Sequence, residues 1–246
     1  MGGRSSPGRA RVAVVGLAGL LVISLAGVAW AYPVLPVAAC PACFGFERHA
    51  DDLVVHRDAD AAAVATLRRD IASGRTAVEA TLGLAPRRAL FVACPSEPCD
   101  RRLGGKGARA TVYSTPLGSV VRLGPGGWDR TILTHELVHV AVHRHVGATR
   151  VLDGTLPAWF DEGIAVVVSR DERFVRFDGR APACVAPSRA DLPVSAWEWA
   201  PLSGLGPTIY AHAACNVVEW MEANGGWPGL RTALDDLASG RRASLP

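Results

Sequence analysis

Apolar residues along this chain fall at helical spacing in some stretches and in short runs bounded by turn residues in others. From Ala59 to Thr81, Ala, Val and Leu return at helical spacing, which predicts a helix. Ala89–Ala93 is a short apolar run entering a Cys-Pro turn. Residues 110–113 and 119–123 are two further runs, separated by Pro-Leu-Gly and closed by Gly-Pro-Gly-Gly. All three predict strands. Ile132–Val142 then runs without Gly or Pro, with Asp129 placed to cap its start and Gly147 to stop it behind the cationic Arg144. Leu133, Leu137, Val138, Val140, Ala141 and Val142 leave this segment no broad polar face, so an internal helix is expected. Leu156–Ala165 is a second apolar helix candidate, with Pro157 where a first turn tolerates it, and helices at 208–224 and 228–239 close the chain. The expected class is α+β: a small N-terminal sheet with an early helix, then the central buried helix, then a mostly helical C-terminal half.

The internal helix carries chemistry. His135-Glu136-Leu137-Val138-His139 spells HExxH, and imidazoles four positions apart on a helix can grip one Zn²⁺ while Glu136 addresses its water. The plain alternative is a chance match, with both histidines hydrogen-bonded in a core and Glu136 in an ion pair. A catalytic zinc site takes three protein ligands and keeps a fourth position for water, so a third donor is expected downstream. Glu162 is one candidate, a carboxylate amid apolar sequence. His145 is the other, giving HExxHxxVxxH, a spacing similar to the metzincin pattern. That pattern has Gly where this chain has Val142, and the Gly permits the sharp turn that returns the third His. With Val142 the helix continues and His145 points away, so Glu162 is the expected ligand.

HELVH followed by PAWFDEGIA resembles the gluzincin metallopeptidases, in particular the small bacterial peptidase MA-like domains, over residues 60–240. The resemblance implies a zincin-like fold, zinc held by His135, His139 and Glu162, and Glu136 as general base. The expected function is a zinc-dependent peptidase that attacks peptide or protein substrates through a zinc-bound water. For the oxyanion donor the chain offers Tyr210 and His212, which face different ways on one helix. Related domains carry a Tyr near the start of the corresponding late helix, which favours Tyr210. No Gly-x-Met-x-Asn signature is present, so amine-anchored exopeptidase chemistry is not implied. Residues 119–123 are the expected edge strand for strand addition by an extended substrate. Trp197 and Trp199 either line a substrate cleft or pack a Pro-rich loop.

Charge and cysteines set the surroundings. The net charge of +3 is slight and scattered, which argues against a nucleic-acid partner. Arg4, Arg9 and Arg11 precede an uncharged stretch, Val12 to Ala31, with the composition of an export signal or an N-terminal membrane anchor. A third reading makes Cys40 a lipidated residue. All three place the chain outside the cytoplasm. Three segments are therefore expected: signal or anchor at 1–31, a cysteine-containing linker at 32–58, and the catalytic domain at 59–246. Six cysteines in an exported chain suggest disulfides, and proximity pairs Cys40 with Cys43, Cys94 with Cys99, and Cys184 with Cys215. No thioredoxin-like context follows CPAC, so a redox role for that pair is the weaker reading. The rival from another class is a catalytically idle zincin domain serving as an exported binding or assembly module.

Overall fold

Asp60 and Asp129 cap the long helices that the apolar spacing predicts. The structure is a computed structural model and describes residues 23–24, 26–115, 117–179, 181–204, 206, 208–241 and 245. The Asp60 carboxylate accepts from the Ala63 N–H at 3.0 Å, opening α2 (Ala61–Leu82) after the short α1 (Val34–Ala39). Asp129 accepts from the N–H groups of Thr131 and Ile132 at 2.9 and 3.3 Å, opening α4 (Arg130–Val146). Gly147 closes α4 by donating to His143 O. Between them lie β3 (Ala89–Ala93), α3 (Glu97–Arg102) and the hairpin β4 (Ala110–Thr115) and β5 (Gly118–Leu123).

The class is α+β, with one mixed five-stranded sheet. Its order is β1 (Phe46–Ala50), β2 (Leu53–His56), β3, β5, β4. The centre is parallel, from β2 through β3 to β5, and both outer pairs are antiparallel. Parallel strands need cover on both faces, and here they have it. Leu53, Val55, Phe91, Val121 and Leu123 join the larger core with α2 and α4, whereas Val54 and Val92 join a smaller one with Val34 and Val37 of α1. Near that smaller core the buried Arg122 guanidinium pairs with Asp100 and also donates to Ala108 O and Thr111 Oγ1, each at 3.0 Å.

Two expectations are corrected here. Residues 119–123 are not an edge: β5 is paired on both sides, and the edge strand of the hairpin is β4. Hairpin pairing is local and readable, but which of its strands meets the parallel centre is decided by long-range contacts. Nor are residues 32–58 a linker to a domain beginning at 59, because β1 and β2 belong to the sheet. Phe-Glu-Arg-His-Ala conceals an edge strand because one side of it faces solvent. The signal or anchor expected at 1–31 falls largely outside the described residues. Among those described, no helix is long and apolar enough to cross a membrane.

The C-terminal half contains α5 (Ala148–Leu152), α6 (Ala158–Ser169), the hairpin β6 (Val175–Asp178) and β7 (Ala181–Cys184), α7 (Ala196–Ser203), α8 (Thr208–Ala223) and α9 (Gly226–Ala238). A Ser195–Glu198 capping box starts α7, which Pro201 hides from a sequence reading. All three disulfides expected from proximity are present, and Cys184–Cys215 ties β7 to α8. Helix α6 packs against both α4 and α8. Gly163 permits the close approach to α8: a Cβ there would stand 2.6 Å from Val217 Cγ2 and run into the Ala213 carbonyl. Gly163→Ala is therefore expected to cost about 1–3 kcal/mol through overpacking. A urea midpoint unchanged from that of the unaltered chain would show that α6 and α8 are not in enforced contact.

Candidate metal centre

Residues four apart on a helix stand above one another, so His135, His139 and His143 form one stripe along α4. Helix α6 crosses that stripe with Asp161 and Glu162, both acidic and adjacent. Consecutive helical side chains diverge by about 100°, so the two carboxylates reach different parts of the stripe.

Glu162 meets the upper part. Its Oε2 lies 3.2 Å from His135 Nε2 and 3.6 Å from His139 Nε2, and the two ring nitrogens are 3.2 Å apart. Three lone-pair donors thus form a nearly equilateral triangle. Donors about 2.0–2.1 Å from a tetrahedrally coordinated Zn²⁺ stand ~3.3–3.4 Å from one another, so the residues present fit such an ion. Asp161 meets the lower part, with Oδ2 at 2.9 Å from His139 Nδ1 and 2.7 Å from His143 Nε2. A carboxylate has no proton to give, so both rings donate to it. When neutral, His139 is then held in the tautomer whose Nε2 lone pair faces the triangle.

The electrostatics follow from this crowding. Burial opposes charge on Glu162, yet His139 and His135 outweigh it and hold its carboxyl down at about 2. Burial likewise opposes charge on Asp161, and the two rings it joins hold it far below the ordinary carboxylate range. His139 is shifted upward: burial disfavours its charged form, but Asp161 and Glu162 override that. The triangle attracts positive charge, as a proton or as a cation. Glu136 differs. Burial raises its pKa, His135 and His139 pull it back, and Glu162 adds to the rise. Such a carboxyl holds a proton more readily than an exposed one.

The remaining sequence candidates separate cleanly. Tyr210, on the first turn of α8, has its ring 6.2 Å from that of His135, stacked on Phe174 and edge-on to Trp199. Burial, then the charge of Glu162, push its hydroxyl pKa up, so the phenol stays protonated as a donor. His212 turns away and its Nδ1 binds Pro187 O at 2.7 Å. His145 also points away, onto Asp235 at 2.7 Å, because α4 continues straight through Val142. Trp199 is buried beside Tyr210, whereas Trp197 is exposed. Sequence reasoning passed over His143 and Asp161. The four-residue ladder 135, 139, 143 was a signal for the first.

No family model matches this chain, and comparison with curated proteins and with solved structures also finds no match. The site stands on its own geometry.

A depressed carboxyl contributes stability that is present above its unfolded pKa and is lost as pH falls through its folded value. In the presence of a chelator, the Glu162 contribution should therefore fade from about pH 4.3 down to about 2. Glu162→Gln should show a shallower acid loss than the unaltered chain in urea melts over that range. Parallel acid profiles would mean that Glu162 is not held by His135 and His139.

Proposed function

We propose that this chain is an extracytoplasmic zinc-dependent peptidase of gluzincin type, with a zincin-like fold. The observation that carries the reading is the donor triangle of His135, His139 and Glu162, with Glu136 beside it on the same helix. HELVH and PAWFDEGIA, whose resemblance suggested that assignment, are the segments that supply these four residues. Three disulfides fit an oxidising compartment, in keeping with export as a secreted or N-terminally anchored protein.

A bound zinc ion would supply Lewis acidity and bring its water's pKa towards neutrality. The other steps belong to the chain. Glu136 takes the proton of the attacking water and passes it to the leaving amine. Tyr210, protonated and on the His135 side of the site, donates to the oxyanion that develops on the scissile carbonyl. Asp161 keeps the His139 Nε2 lone pair aimed at the triangle. The edge strand β4, packed against α4, offers an unpaired side to an extended peptide, taking the place first expected for residues 119–123.

The full chain should bind one equivalent of zinc, losing it in Glu162→Ala and keeping it in His145→Ala. Loss with His145 instead would make the site a metzincin variant. A wild-type chain without zinc would leave the cluster as a structural network in an exported binding or assembly module. Against a peptide library, Glu136→Gln should lose on the order of 10²–10⁴ in rate. An active Glu136→Gln variant would refute the mechanism. Tyr210→Phe should lose on the order of 10²–10³ in kcat, with zinc content unchanged. Undiminished turnover would remove Tyr210 from the site.

A further inference from the structure

Behind the triangle a line of hydrogen bonds runs away from it. His139 Nδ1 donates to Asp161 Oδ2 at 2.9 Å, and His143 Nε2 donates to the same oxygen at 2.7 Å. With its Nε2 proton so engaged, His143 Nδ1 accepts from Ser114 Oγ at 2.9 Å. Ser114 lies on β4, opposite Ser119 of β5, whose hydroxyl is 3.4 Å away. The line therefore connects α6, α4 and the edge of the sheet in four side chains.

Two features set it apart from incidental core polarity. Asp161 and His139 are both buried, and the second Asp161 oxygen, Oδ1, is enclosed with no hydrogen-bond partner among the described residues. All of the carboxylate's bonding thus passes through Oδ2, which His139 and His143 share. If His143 let go, Asp161 could swing Oδ1 towards another donor and take the His139 ring with it. Ser114 belongs to the strand that presents the sheet's open side beside α4.

We propose that His143 and Ser114 are positioning residues: together they clamp Asp161 from the far side, fixing the orientation of His139 and coupling the edge strand β4 to the proposed zinc ligand. This rests on the reading of His135, His139 and Glu162 as a cation site. Along this line, a displacement of β4, such as an extended peptide laid beside it would cause, reaches His139 through two hydrogen bonds to His143 and one to His139 itself.

The test uses the full chain and two readouts besides activity: zinc affinity by competition with a chromogenic chelator, and the visible spectrum of the Co²⁺-substituted protein. Outer-shell partners of metal-bound histidines are worth about 10–100-fold in affinity. His143→Leu, which removes the donor to Asp161, should weaken zinc by that amount and shift the cobalt bands. His143→Gln keeps an N–H near the Nε2 position but has nothing at Nδ1, so it cuts only the link to Ser114. Ser114→Ala cuts the same link. These two should weaken zinc by equal, smaller factors, and combining them should add nothing. A merely structural role would lower the melting temperature of the chelated protein and leave affinity and spectrum alone. Wild-type affinity and spectrum in either His143→Leu or Ser114→Ala overturns the proposal, and should the leucine variant not fold, the Ser114→Ala and His143→Gln pair decides alone. A wild-type chain that binds no zinc overturns the cation site itself, and this coupling with it. Zinc lost with Glu162→Ala but indifferent to Ser114 and His143 overturns the coupling only.

Discussion

A helix buried on nearly every side cannot leave its polar rings without partners. That constraint organises this structure. Helix α4 lies among the sheet, α2 and α6 with three histidines in one stripe, and an unpaired buried polar group costs about 1–3 kcal/mol. Helix α6 answers with two adjacent carboxylates, and to bring them close it has to be pressed inward by α8, which Gly163 allows. Helix α8 in turn carries Tyr210 to the same place. Each element is positioned by what the previous one requires. The result places Asp161 and Glu162 against the imidazoles, and their negative charge raises His139 despite its burial.

Much of this could be read in the sequence, and the part that could be read was local. The caps Asp129 and Gly147, the four-residue spacing of His135 and His139, and the absence of Gly at Val142 all act within a turn or two of backbone. They sufficed to place the helix and to send His145 outward. The pairing of the cysteines was local as well, in two cases separated by only three and five positions. What stayed hidden depends on how elements cross. Asp161 was visible as an acidic residue, but whether it faced α4 or solvent depended on the rotation of α6, which Gly163 and α8 set. Ser114 carried no signal at all: a serine in a strand acquires a role only when a histidine from another element arrives 2.9 Å away. Strand order was unreadable for the same reason, so β5 passed for an edge while the polar β1 passed for linker.

The mixed sheet has a functional geometry of its own. Its parallel centre is covered on both faces, and its antiparallel margins are where backbone groups remain available. Placing α4 against β4 rather than against the opposite edge sets the donor triangle beside an available margin. The proposed chemistry therefore sits beside an outer strand of the sheet rather than over its paired parallel centre.

The Cys184–Cys215 bond spans 31 positions and ends in the helix that bears Tyr210. Closing a loop of that length removes unfolded-chain entropy worth about 3–4 kcal/mol in the chain-entropy account. In a reducing solution α8 would keep its packing on α6 and its hydrogen bonds to Pro187 and Arg189 through His212 and Asn216, but would lose the covalent tie. The helix that carries Tyr210 is thus joined covalently to the β6–β7 hairpin only where thiols are oxidised, whereas the contacts of Tyr210 with Phe174 and Trp199 do not depend on that bond.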